Sequence, residues 1–182
     1  MVAEYPVAMS ASHVLLLADT HGHLDARIGA LARECDVVVH AGDVGNAAVL
    51  DVLRECSARV FAVCGNNDVA SRWPRGERDV LDDLDESITV DLPGGKLAAT
   101  HGDAFAPKTR HARLRAAFPD AKAIVYGHSH RLVIDDGELP WVLNPGAAGR
   151  ARTYGGPSCL LLDASPRRWR IEARRFLPIS AR

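Results

Sequence analysis

Residues 13–23 read HVLLLADTHGH, and the apolar run inside this stretch decides what kind of fold the chain builds. Residues 14–18 are continuously apolar, far too few to cross a bilayer, and they do not alternate with polar residues. A short unbroken run of this kind, bounded by turn-forming residues, is a strand buried on both faces, the sort found in parallel sheets. The run stops at Asp19, and His21 and His23 follow at every second position with a glycine between them. A carboxylate and imidazoles set against the end of a buried strand need partners, because an unpaired charge at the edge of a core is unfavourable.

Working outward, the same grammar repeats. Residues 24–34 place Leu24, Ile28 and Leu31 on one helical face, and DVVVH at residues 36–40 is a second buried strand. Residues 47–56 put Val49, Leu53 and Cys56 on one face behind Asn46, a natural N-cap, and RVFAVCG at residues 59–65 is the third strand. The order is βαβαβ. After residue 82 the texture changes to short strands: SITVDL, KLAATH, AIVYG, RLVIDDG, WVLNPG, SCLLLD and RWRIEARRF, with helical spacing only at residues 108–118, stopped by Pro119. Two such halves bury their faces best as an α/β fold, a four-layer αββα sandwich of two mixed β-sheets flanked by helices. The expectation is a single domain over residues 1–182, with residues 1–12 as a flexible N-terminal arm containing a second methionine, Met9, and dispensable at least over residues 1–8.

Composition narrows the function. A chain of 182 residues with 47% hydrophobic and 25% charged residues is long enough for one core without cross-links and has the balance of a soluble globular protein. Its net charge of −1 gives no general attraction to nucleic acid or to an anionic membrane. The basic tail RRWRIEARR at residues 167–175 alternates charged and apolar positions, so it reads as the solvated face of a strand rather than a nucleic-acid patch. Cys35, Cys56, Cys64 and Cys159 have no paired spacing and read as small apolar fillers in a reducing compartment. With no basic leader at the start, the expected location is the cytoplasm.

The polar signals fall where strands end. Asp19 and His21 follow the first strand, Asp43 the second in HAGDVGN, Asn66 the third in CGNND, His101 another in ATHGD, and His128 and His130 follow AIVY in YGHSH. In α/β sheets the crevice beyond the carboxyl ends of the strands is where ligands bind, so these distant positions converge in space. Four imidazoles, two carboxylates and one amide are the ligand types of Zn, Mn, Fe, Co and Ni. Seven exceed what one tetrahedral ion takes, and they suit two ions sharing a carboxylate.

The ordered series D-x-H, GD, GN-x-D, H, GH-x-H, followed by NPG at residues 144–146, resembles the calcineurin-like metallophosphoesterases, in particular their small single-domain bacterial and archaeal phosphodiesterase branch, over residues 15–163. The resemblance implies two divalent metal ions, with Mn favoured over Fe, Zn, Co or Ni. Asp19, His21 and His130 would hold the first, Asn66, His101 and His128 the second, and Asp43 would bridge them. It implies hydrolysis of small or nucleotide-like phosphodiesters by attack of a metal-bound hydroxide. Larger phosphatases of the superfamily carry a proton-donating histidine where this chain has Asn67, and an asparagine cannot act as that acid, which favours diesters over general monoesters.

Asn67, Asp68 and His23 are accordingly the candidate catalytic residues, although His23 also reads as a surface residue at a helix start. Asp68 and Asp103 lie beside ligands, either to orient them or to satisfy turn amides. Arg150 and Arg152 are either phosphate-binding forks or ordinary loop charges, and His40 is expected to pack behind the site. The expected partner is a small-molecule phosphoester, without membrane or nucleic acid, and self-association is left open. The alternative implied by the same resemblance is a protein-interaction scaffold like the retromer subunit, against which the intact His21, His101, His128 and His130 argue.

Overall fold

The computed structural model describes residues 3–6, 11–57 and 59–178. One sheet has five strands in the order β11-β10-β2-β3-β4: β2 (Ser12–Leu17), β3 (Val37–His40), β4 (Val60–Ala62), β10 (Ser158–Ala164) and β11 (Trp169–Arg175). The first three run parallel, as their unbroken apolar sequences require, and β10 and β11 complete the sheet antiparallel. The other sheet has six strands in the order β1-β5-β6-β7-β9-β8, built from β1 (Ala3–Pro6), β5 (Ser87–Leu92), β6 (Gly95–Thr100), β7 (Ala123–Val125), β8 (Leu132–Asp135) and β9 (Trp141–Pro145). It is mixed, with β6, β7 and β9 parallel.

Strand side chains alternate between faces, and the alternation separates three apolar layers. Val14, Leu16, Val37 and Val39 point inward against Val90, Leu97, Ala99, Val125 and Leu143 of the other sheet. Leu15, Leu17 and Val38 point the other way, onto Ile28 of α1 (Ala26–Ala32) and Leu50 and Leu53 of α2 (Ala47–Cys56). Ala98, Ile124 and Val142 pack on Leu114 of α4 (Arg110–Ala117). The αββα order follows directly from these layers. Each fully buried Leu, Ile or Val contributes about 1.5–3 kcal/mol by leaving water, so the sandwich is a firm platform for its own strand ends.

Local signals place the helix starts. Asn46 accepts from Val49 N as the cap of α2, as its sequence position indicates. The first helix starts two residues later than its apolar spacing suggests, because the Asp25 carboxylate accepts from Arg27 N and caps the turn there. A 3-10 turn (Arg75–Glu77) leads into α3 (Arg78–Asp82), and Glu77 Oε2 accepts from Ala47 N at 2.7 Å, a tertiary contact that also secures the start of α2. Within the segment read as an arm, Ala3–Pro6 pairs parallel with β5 and β2 already begins at Ser12, while residues 1, 2 and 7–10 lie outside the described residues. The four cysteines are free; burial pushes the Cys159 thiol up to about 12 and the Cys35 thiol up to about 11, so both stay protonated at neutral pH.

Candidate metal centre

The ends of β2, β3, β4, β6 and β7 deliver the site, and the backbone there is bent in an unusual way. Among the described residues seven non-glycine positions have positive φ: Asp19 (55°), His21 (47°), Asp43 (55°), His128 (64°), His130 (57°), Arg152 (51°) and Tyr154 (36°). L-residues reach the left-handed region at a penalty of about 1–2 kcal/mol, and such strain persists where surrounding structure over-determines it, commonly at functional sites. Five of the seven are residues whose sequence positions mark them as ligands.

Asp19, His21, Asp43 and His130 each place a ligand atom within 4.8 Å of the others. Asp19 Oδ1 lies 3.3 Å from His130 Nε2 and accepts from His128 N at 3.2 Å, while His21 Nε2 sits 3.1 Å from His130 Nε2 and 3.7 Å from Asp43 Oδ2. A second group adjoins it: His101 Nε2 lies 3.4 Å from Asp43 Oδ2, and His128 Nδ1 is 2.9 Å from Asn66 Oδ1, with the His101 and His128 rings edge to face at 5.4 Å. Asp43 stands between the two groups.

The hydrogen-bond bookkeeping fits a cation. His101 Nδ1 and His130 Nδ1 each face a carbonyl, Ala41 O and Ala151 O, both at 2.9 Å. A carbonyl only accepts, so both Nδ1 atoms carry a proton, and in the neutral ring Nε2 is the acceptor that faces the centre. Asp19 Oδ2 and His101 Nε2 are buried without any hydrogen-bond partner. These two acceptors converge here with no donor of their own, an arrangement that is unfavourable alone and favourable around a divalent ion. Burial pushes the Asp19 carboxyl up to about 7 and the His130 imidazole down to about 4. A bound cation reverses the first and uses the neutral ring that the second guarantees.

Comparison with known proteins agrees with this geometry. The model of the calcineurin-like phosphoesterase superfamily domain matches residues 13–167, most of the chain. The chain belongs to that superfamily. It is 26% identical over 165 residues to Phosphodiesterase MJ0936 of Methanocaldococcus jannaschii, covering 85% of this chain and 95% of that protein. It is also 32% identical over 114 residues to Probable metallophosphoesterase MJ0623 of the same organism, covering 62% of this chain and 53% of the relative. Among solved structures, wild-type Vps29 of Entamoeba histolytica complexed with zinc superposes with a TM-score of 0.71 at 18% identity, covering 91% of this chain and 98% of that one, a likeness of fold. The superfamily assignment and the relatives' names support a hydrolase. Among the described residues no helix is long and apolar enough to cross a membrane.

The remaining site candidates are placed unevenly. Asn67 sits on Asp43, donating Nδ2 to Oδ2 at 2.6 Å and its backbone N to Oδ1 at 2.8 Å, so it holds the central carboxylate. Asp68 is held from all sides by hydrogen-bond donors. Its Oδ1 accepts from Gly45 N and Trp73 Nε1 and its Oδ2 from Val44 N and Gly65 N, which occupies both oxygens and ties the Asp43 loop to the Asn66 loop. His23 lies outside the ligand cluster and lines a cavity of about 550 Å³ with Leu24, Ala26, Arg150 and Thr153. Asp103 is exposed. His40 lies behind the centre, fully buried and bonded to Thr20 Oγ1 at 2.9 Å, and burial pushes it down to about 4.

Three supports are given no role by the sequence: Thr20 and Gly42 adjoin ligands, and Asn144 belongs to a landmark whose task the sequence does not state. Thr20 passes the His40 contact on to Val44 O at 2.9 Å. Asn144, in the NPG landmark, donates to Gly127 O at 2.7 Å and Ser129 Oγ at 3.1 Å and accepts from Gly146 N at 2.9 Å, fixing the turn that carries both His128 and His130. Gly42 leaves room for the His101 ring, whose Nδ1 would lie 2.6 Å from an added Cβ.

Proposed function

We propose that this chain is a metal-dependent phosphodiesterase that hydrolyses small or nucleotide-like phosphodiesters, using two divalent ions with manganese as the working metal. The observation that carries the reading is the convergence of partnerless acceptors, Asp19 Oδ2 and His101 Nε2, with the facing Nε2 atoms of His21 and His130, at the ends of strands from both sheets. Asp19, His21 and His130 would hold one ion, Asn66, His101 and His128 the other, and Asp43 would be shared. Bound divalent ions supply a water acidic enough to act as a nucleophile near neutral pH and neutralise charge on the phosphoryl oxygens.

The chain's own residues set what can be cleaved. Asn67 keeps the Asp43 carboxylate fixed through two hydrogen bonds and has no proton to give a leaving oxygen. Esters whose leaving groups depart as stable anions are therefore favoured, and unactivated monoesters are poor substrates. His23 lines a cavity together with Arg150, apart from the ligand cluster. The fold likeness to Vps29 bears on the scaffold alternative, but the seven ligand-type residues stand together here and favour the enzyme.

The test is metal analysis of protein purified without chelator, followed by hydrolysis of bis(p-nitrophenyl) phosphate and p-nitrophenyl phosphate. Bound divalent metal, loss of turnover on chelation, recovery with manganese, and faster diester cleavage are expected. Full activity in chelator by protein that contains no transition metal would overturn the proposal.

A further inference from the structure

The loop GRARTYGG, residues 149–156, carries three features that the metal centre does not account for. Its backbone grips His130 from one side, with Ala151 O accepting from Nδ1 at 2.9 Å. From the other side Arg152 Nη2 donates to His130 Nε2 at 2.8 Å, the same nitrogen that faces Asp19 and His21. Arg152 also shares with the ligands a left-handed backbone, φ 51°. The loop does not hang free, because the Cα of Gly149 packs so closely on Thr20 O and His23 O that no Cβ fits there.

One lone pair on Nε2 accepts one partner. A guanidinium and a divalent cation cannot both use it, and the two positive charges repel at such range. Arg152 is held by its neighbour's bond to His130, so on release it stays at the edge of the centre and requires an anion. Among the described residues neither Arg152, Arg150 nor Arg131 pairs with a carboxylate, and Arg131 instead lies over the Tyr154 ring at 4.5 Å. In a chain of net charge −1 this is a local concentration of unneutralised cations. A planar fork of N–H donors matches two oxygens of one phosphoryl group better than any other side chain does. Arg150 differs: it lines the cavity next to His23 and touches no ligand of the centre.

We infer that Arg152 is a substrate-binding residue that gives up His130 Nε2 to the metal and takes the non-bridging oxygens of the phosphoryl group in its place. The inference rests on the phosphodiesterase reading and deepens it: the substrate is recognised by its phosphoryl oxygens through Arg152, not through the general charge of the loop. Because Arg152 opposes metal before substrate arrives and favours substrate afterwards, the two affinities should respond to its loss in opposite directions.

The experiment uses full-length wild type, Arg152→Ala, Arg152→Lys and Arg150→Ala. Manganese binding to metal-stripped protein and inorganic phosphate binding to the metal-loaded protein are each measured by calorimetry, with no turnover required. Arg152→Ala is expected to bind manganese at least as tightly as wild type and phosphate about 10- to 100-fold more weakly, the range for a lost charge-assisted hydrogen bond. Arg152→Lys is expected between the two, since it keeps the charge and loses the fork. Arg150→Ala is expected to bind phosphate within about twofold of wild type. Phosphate affinity unchanged in Arg152→Ala overturns the inference, as does an equal loss in Arg150→Ala, which would mean only general charge. Weakened manganese binding in Arg152→Ala also overturns it, showing that the loop merely braces His130. Wild type that takes up no divalent metal would overturn the phosphodiesterase reading itself, a result distinct from all of these.

Discussion

Replacing Asp68 by asparagine tests whether the two ligand loops are tied together as the structure shows. The carboxylate is 7% exposed and accepts four hydrogen bonds, two per oxygen: Gly45 N at 2.8 Å and Trp73 Nε1 at 2.9 Å on Oδ1, Val44 N at 3.0 Å and Gly65 N at 2.9 Å on Oδ2. An amide can turn only one oxygen toward one pair of donors, and its NH₂ then confronts the other pair. Two hydrogen bonds to a charged acceptor are lost in either orientation, at about 1.5–3 kcal/mol each, so the expected destabilisation is about 3–6 kcal/mol. At about 2–4 °C per kcal/mol for a chain of this size, the melting temperature should fall by about 6–24 °C. The assay is urea unfolding of metal-free Asp68→Asn and wild type, with manganese affinity measured in parallel. Because Val44 N and Gly65 N flank Asp43 and Asn66, metal affinity should drop by about 10- to 100-fold. A stability loss under about 1 kcal/mol with unchanged metal affinity would refute the tie. Wild-type stability combined with a collapse in kcat would restore Asp68 as a proton-transferring group.

Gly65→Ala should abolish metal binding at ordinary concentrations, because an added Cβ would run into the backbone and carboxylate of Asp43, with Cγ at 2.9 Å; retention of wild-type metal affinity in calorimetry would show that the loop yields. Asn144→Ala removes three hydrogen bonds, two of them buried, from the turn that carries His128 and His130 and should cost about 2–4 kcal/mol, read by urea unfolding, with a rise in manganese Kd. Asp25→Asn keeps the helix cap and loses the charge facing Arg27, whose hydrogen bond, ahead of the opposing effect of burial, holds the Asp25 carboxyl below its ordinary value of 3.8. A depressed carboxylate stabilises the fold above its unfolded pKa and ceases to do so as pH falls through the folded one. The variant should therefore be less stable than wild type by under about 1 kcal/mol at pH 7, and the gap should close below about pH 4. A gap that persists unchanged at pH 2 would contradict the sign.

The sequence alone determined the positions of the strands from β2 onward, the αββα class and the seven ligand-type residues, for a common physical reason. Continuous apolar runs such as residues 14–18 and the short alternation in SITVDL are local patterns, and a ligand at a strand end needs only its neighbours in the chain to be recognised. Helix α2 was legible to the residue because Asn46 and the spacing of Val49 and Leu53 act within a few positions of one another. What the tertiary structure decided involves partners brought together from far along the chain. Asp68 looks like a residue beside a ligand until Val44, Gly45 and Trp73 are seen to occupy it, and Arg152 looks like a loop charge until its guanidinium lies 2.8 Å from His130 Nε2. The pairing of Ala3–Pro6 with β5, inside a segment whose sequence reads as an arm, is equally non-local. A side chain's type is written in the chain, but whether it ligates, braces or binds substrate depends on which acceptors and donors the fold sets opposite it, and here those come from strand ends as far apart in the chain as Asp19 and His130.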